Sequence, residues 1–177
     1  DRGHSAVSRI QPGDIDWEKV LDTRWFHSTG IVTAVGEHTA TEVLAALKAA
    51  KKHGATTSFA LNYRHTLWSK EAAQAAMVEL MPYIDVIIGN EEDFQLCLGF
   101  KGPEAGAKDL GSKIESFKAM ITQVQEKYPN AKMFATTLRQ VISASEHLWG
   151  AILLADGKWY VEEPREIQVL DRIGGGD

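Results

Sequence analysis

The sequence predicts an α/β domain: a mostly parallel sheet flanked by helices, with an antiparallel hairpin near one edge. Three observations carry that prediction. Short apolar runs of strand character alternate four times with stretches of helical periodicity. Within Asp85-Val86-Ile87-Ile88-Gly89 the apolar residues are continuous, the pattern of a strand buried on both faces. Asp156-Gly157-Lys158 separates two further strand-like segments and is a hairpin turn signal.

Taken in order, residues 1–14 are polar, and Pro12-Gly13-Asp14 marks a turn. Asp16 is placed to cap a short helix over Trp17–Leu21. A brief strand, Trp25-Phe26-His27, ends at Ser28-Thr29-Gly30, and His27 is expected in or near the core. The spacing of Val43, Leu44, Leu47 and Ala50 predicts a helix from about Thr39 to Lys52, stopped at His53-Gly54 by a left-handed glycine. Thr56–Leu61 is the next strand and breaks at Asn62. A helix over about Lys70–Met81 carries Ala73, Ala76, Met77, Leu80 and Met81 on one side, and Pro82 closes it. After the strand Asp85–Gly89 come a short helix, Glu91–Leu98, and a polar glycine-rich loop from Gly99 to Gly111. Ile114, Phe117, Ile121 and Val124 predict a helix from about Ser112 to Lys127, before Pro129. Met133–Thr136 is a strand; His147–Ala155 and Trp159–Glu162 form the hairpin; Ile167–Leu170 leads into a glycine run.

A chain of 177 residues is long enough for a real core and reads as one domain, or a large piece of one. Its 44% hydrophobic and 24% charged residues are ordinary for a soluble globular protein. A net charge of −5 argues against a nucleic-acid or anionic-membrane surface. No apolar run reaches the ~20 residues of a membrane span. The single cysteine, Cys97, excludes an internal disulfide and fits a reducing, cytoplasmic compartment; its apolar helix suits packing more than nucleophilic chemistry. Six histidines without His-x-x-x-His spacing or companion cysteines give no zinc pattern, and neither a Walker-type nor a dinucleotide glycine fingerprint occurs. The start at Asp1 without an initiator Met, and the abrupt end at Asp177, suggest a fragment of a longer protein.

Ligands of open α/β sheets bind beyond the carboxyl ends of the strands. That rule selects four polar loci: Ser28-Thr29-Gly30, Asn62-Tyr63-Arg64, Asn90-Glu91-Glu92-Asp93 and Thr136-Thr137-Leu138-Arg139. Arg64 is a suitable anchor for a carboxylate or phosphate; stacking on Trp68 or a local salt bridge is the other reading. Asn90 and Asp93 suit either a magnesium- and phosphate-ordering role or a plain helix cap with acids in its first turn. Gly174-Gly175-Gly176 can gather backbone N–H groups around an anion, with Asp177 beside it as a proton acceptor. A loose glycine-rich tail is the alternative there.

Asp171-Arg172-Ile173-Gly174-Gly175-Gly176-Asp177 resembles the Asp-Thr-x-Gly-Ala-Gly-Asp signature of the PfkB/ribokinase family of carbohydrate kinases. Asn90-Glu91-Glu92-Asp93 resembles that family's Asn-x-x-Glu motif. Leu61-Asn62-Tyr63-Arg64 with Leu67-Trp68 is similar to the substrate-site strand end of its 2-keto-3-deoxygluconate kinases, and Arg2 with Ser5-Ala6 to their Tyr-x-Arg-x-x-Ser-Ala segment. Order and spacing agree along the whole chain.

The resemblance implies a ribokinase-like fold, with residues 1–177 as the central part of one kinase domain. The N-terminal lid and the C-terminal helices would lie outside it. It implies Mg²⁺- and ATP-dependent phosphorylation of the terminal hydroxyl of 2-keto-3-deoxygluconate or a related acidic sugar. A neutral-sugar kinase and a non-catalytic sugar- or nucleotide-binding protein are the alternatives. By the same resemblance Asp177 is the general base and Gly174, Gly175 and Gly176 form the anion hole. Arg64, Arg2, Asn62, Gly30 and Asp177 bind substrate; Asn90, Thr137, Arg139, Gly174 and Gly176 bind nucleotide; Asn90 and Asp93 organise the metal. The implied partners are a small sugar and ATP, without nucleic acid or membrane, in a homodimer or higher homo-oligomer. Ala60 stands where many relatives have Asp, Arg139 where the nucleotide loop has glycine, and Asp93 where the motif has Glu.

Overall fold

The computed structural model describes residues 2–102 and 110–171. Its sheet has six strands in sequential order: β1 (Trp25–Thr29), β2 (Thr56–Ala60), β3 (Val86–Gly89), β4 (Met133–Val141), β5 (Glu146–Ala155) and β6 (Lys158–Gln168). β1 to β4 are mutually parallel, and β5 and β6 run antiparallel beyond them. The helices are α1 (Trp17–Val20), α2 (Gly30–Ala34), α3 (Thr39–Lys52), α4 (Lys70–Leu80), α5 (Glu91–Leu98) and α6 (Leu110–Lys127). Parallel strands laid down in one direction through right-handed crossovers put their helices on a single face. The core follows that rule. Phe59, Ile87, Phe134 and Leu154 form one register row across β2 to β5 and are buried with Met77, Phe94, Phe117 and Ile121 from the helices. The opposite face carries Trp25 and His27 beside Ser58, whose hydroxyl lies 2.8 Å from both rings' nitrogens. His27 is therefore exposed rather than in the core: strand alternation turns it away from Phe26 and Ser28.

The predicted elements are present, with several differences of extent. α3 spans the predicted residues, and Gly54 closes it at φ +77°. α4 ends at Leu80 because Pro82 starts a tight 3-10 turn, Met81–Tyr83. Asp16 does not cap α1; its carboxylate instead pairs with Lys19 at 2.6 Å. α6 starts at Leu110, inside the stretch expected as loop. The Asp156-Gly157 turn has positive φ at both residues, +49° and +73°, the backbone that matches strand twist in a two-residue hairpin.

Candidate active site

All four expected loci begin at the carboxyl ends of the parallel strands, Thr136 pairing with Gly89 at the end of β3, but only three of them leave the sheet there. β4 continues through Val141, so Thr137 and Arg139 are ladder residues paired with Ala151 and Trp149. The expected nucleotide loop is thus strand, with the Arg139 guanidinium 5.7 Å from the centre of the Trp149 ring. Antiparallel pairing with β5 carries the backbone past the point where the parallel strands stop.

At the end of β1, Thr29 caps α2 by accepting the Val32 N–H at 3.4 Å. The short α2 was not expected from sequence, where Gly30 closed the polar locus at the end of the first strand. Gly30 is buried, and a Cβ there would stand 2.0 Å from the Leu61 carbonyl oxygen. Its missing side chain is what lets the β1 end touch the β2 end.

β2 breaks at Asn62, whose φ is +41°, in the left-handed region that Asn tolerates better than most residues. The half-buried Arg64 donates from Nη1 to its neighbour's carbonyl, Tyr63 O, at 2.7 Å. Neither the Trp68 stack nor a salt bridge occurs at Arg64 among the described residues, so the remaining guanidinium donors are available to a ligand. Arg2 lines an open cleft of about 490 Å³ with Gly3, Ala34, Val35, Thr66 and Leu67. The fold therefore brings Arg2 to the same loop that carries Arg64. A second cavity, about 260 Å³ between residues 7–17 and α3, is apolar; Glu42, which faces it, already accepts Trp17 Nε1–H at 2.9 Å.

At the end of β3, Asn90 and Asp93 form a reciprocal capping box on α5. Asn90 Oδ1 accepts the Asp93 N–H at 2.8 Å, and Asp93 Oδ2 accepts the Asn90 N–H at 3.3 Å. Asp93 Oδ1 accepts a third main-chain donor, Tyr63 N–H, at 2.8 Å. That bond spans two rim loops thirty residues apart in sequence, and no local pattern announces it. Both carboxylate oxygens and the Asn90 side-chain oxygen each accept an N–H group, so the pair is held as a helix cap, while each oxygen keeps a second lone pair for a metal or its waters. Among the described residues no cluster of three or more His, Cys, Asp or Glu could hold one. Burial, and secondarily the Asp93 charge, push the Cys97 thiol up to about 12, so it packs rather than reacts. Gly174, Gly175, Gly176 and Asp177 lie outside the described residues.

An open sheet with charged loops gathered at the carboxyl ends of its parallel strands defines an α/β protein of the class that binds small ligands at that rim. Comparison with known proteins narrows the class. The model for the pfkB family carbohydrate kinases matches residues 1–177, and the chain belongs to that family. A solved 2-dehydro-3-deoxygluconokinase from Thermotoga maritima is 38% identical, with a TM-score of 0.86, over 96% of this chain and 50% of that one. A 2-dehydro-3-deoxygalactonokinase of Haloferax volcanii is 27% identical over 100% of this chain and 49% of its own length. A 2-dehydro-3-deoxygluconokinase of Thermoproteus tenax is 28% identical over 99% of this chain and 46% of its own. The chain thus spans about half the length of these relatives. Among its described residues no helix is long and apolar enough to cross a membrane.

Proposed function

We propose that the complete protein phosphorylates the terminal hydroxyl of a 2-keto-3-deoxy sugar acid of the gluconate or galactonate type, using ATP. The observation that most supports this is the placing of Arg64, with donors to spare, at the end of β2 beside the Asn90 end of β3. A fixed guanidinium fork suits a sugar carboxylate held in two hydrogen bonds. Arg2, on the cleft that reaches the same loop, adds positive charge for the acid or keto end. The three similar proteins named above are all kinases of such acids.

The chemistry assigned to this chain's residues follows from those anchors. With the acid end held, the far hydroxyl is presented to Asp177, which takes its proton as the oxygen attacks the γ-phosphorus and the bond to ADP breaks. The Gly174, Gly175 and Gly176 amides receive the charge that develops on the transferring phosphoryl oxygens. Magnesium, when bound, neutralises phosphate charge; it would arrive with the nucleotide and keep several waters. In the complete protein, Asp177→Asn should lower kcat by roughly 10²- to 10⁴-fold, with the unfolding midpoint unchanged. Near-normal turnover in that variant would remove Asp177 from the mechanism.

A further inference from the structure

We propose that Asp93 is a positioning residue for sugar binding: its buried carboxylate sets the spacing between the loop that carries Arg64 and the loop that carries Asn90. The inference rests on the reading of this rim as the sugar site. Asp93 is 4% exposed and sits where β2 and β3 end side by side. Its Cβ lies 3.1 Å from where a side chain on Gly89 would begin, and Leu61 Cδ1 stands equally close to that point, so the absent Gly89 side chain is what lets Asp93 approach the strand ends. One oxygen takes the Tyr63 N–H and the other the Asn90 N–H.

The Tyr63 bond falls at the place that most needs it. Tyr63 follows Asn62, whose positive φ is costly for a residue with a side chain and persists only where the surroundings impose it. A charge-assisted bond from the next N–H is such a constraint. On the other side of the same residue, Tyr63 O accepts Arg64 Nη1–H. The order of support therefore runs from the Asp93 carboxylate to Tyr63 and from Tyr63 to the Arg64 fork. A group shifted at Asp93 should be felt as a misplaced guanidinium, before any nucleotide or metal is involved.

Three measurements on the complete protein separate this from a metal role: KM for 2-keto-3-deoxygluconate, calorimetric sugar binding in EDTA without nucleotide, and the Mg²⁺ concentration for half-maximal rate. In Asp93→Asn an amide NH₂ must face one of the two N–H groups. Both KM and the metal-free dissociation constant should then rise roughly tenfold, while the Mg²⁺ requirement stays within about twofold. Asp93→Glu keeps charge and cap but moves the carboxylate by one methylene, so it should recover part of the lost affinity. If Asp93→Asn fails to fold, Asp93→Glu decides by the same split. A raised Mg²⁺ requirement with unchanged metal-free sugar binding would overturn the proposal, as would unchanged values throughout. Failure of the unsubstituted protein to bind the sugar would instead overturn the site reading beneath it.

Discussion

Two buried aspartates tie β2 to β3 from opposite ends of the sheet, in different surroundings. At the amino end Asp85 accepts both an ammonium and an amide: Lys51 Nζ at 2.7 and 2.8 Å, and the Thr57 N–H at 3.0 Å. Lys51 comes from α3, so this end is a closed junction of helix and sheet. At the carboxyl end Asp93 receives N–H groups from two loops, one of them leading directly to Arg64. The same side chain thus serves folding at one end and ligand geometry at the other. What differs is whether the groups it holds are internal to the fold or stand at its rim.

Substitutions should separate the two ends. Asp85→Ala leaves Lys51 and the Thr57 N–H without their acceptor. The pair is only partly buried, with the lysine side chain 38% exposed, so the expected loss is about 3 kcal/mol of unfolding free energy. It should appear in denaturant titration, with KM for the sugar unchanged among molecules that remain folded. Acid should act at the same place. Burial pushes the Asp85 carboxyl up, but Lys51 and the Thr57 N–H outweigh it and leave it below its usual value. A lowered folded value means stability that is complete above the unfolded value and lost as pH falls through the folded one. Stability should therefore drop below about pH 4, less steeply in Asp85→Asn. A smaller effect is expected at the rim. Arg64→Ala should raise KM for the acidic sugar by roughly tenfold or more, as a lost charge-assisted bond does, and leave the unfolding midpoint nearly unchanged. A large stability loss there, or an unchanged KM, would erase the contrast between the ends.

The fold was readable where local pattern and packing agree. Val43 and Leu47 on α3, and Phe117, Ile121 and Val124 on α6, are periodic in sequence and buried in the core. The Asp-Gly turn is local chemistry and was equally plain. Thr137 and Arg139 were expected beyond the strand, not in it, because the length of β4 depends on β5, a partner whose pairing no local signal reports. The need for glycine at position 30 was not legible because its reason is the Leu61 carbonyl oxygen, thirty-one positions on. At the site, the residue types at the ends of β2 and β3 were visible, and the bond from Asp93 to Tyr63 was not. Carboxylates show in a sequence; the N–H groups they accept do not.

The central claim is that the carboxyl end of this sheet is built to hold an acidic sugar for phosphorylation. Its most direct test is steady-state phosphorylation by the complete protein of 2-keto-3-deoxygluconate and 2-keto-3-deoxygalactonate, set beside fructose and ribose, with ATP and Mg²⁺. The account predicts kcat/KM for at least one of the acids more than about tenfold above either neutral sugar, the scale of one carboxylate–guanidinium contact. Equal or greater kcat/KM on fructose or ribose would contradict it.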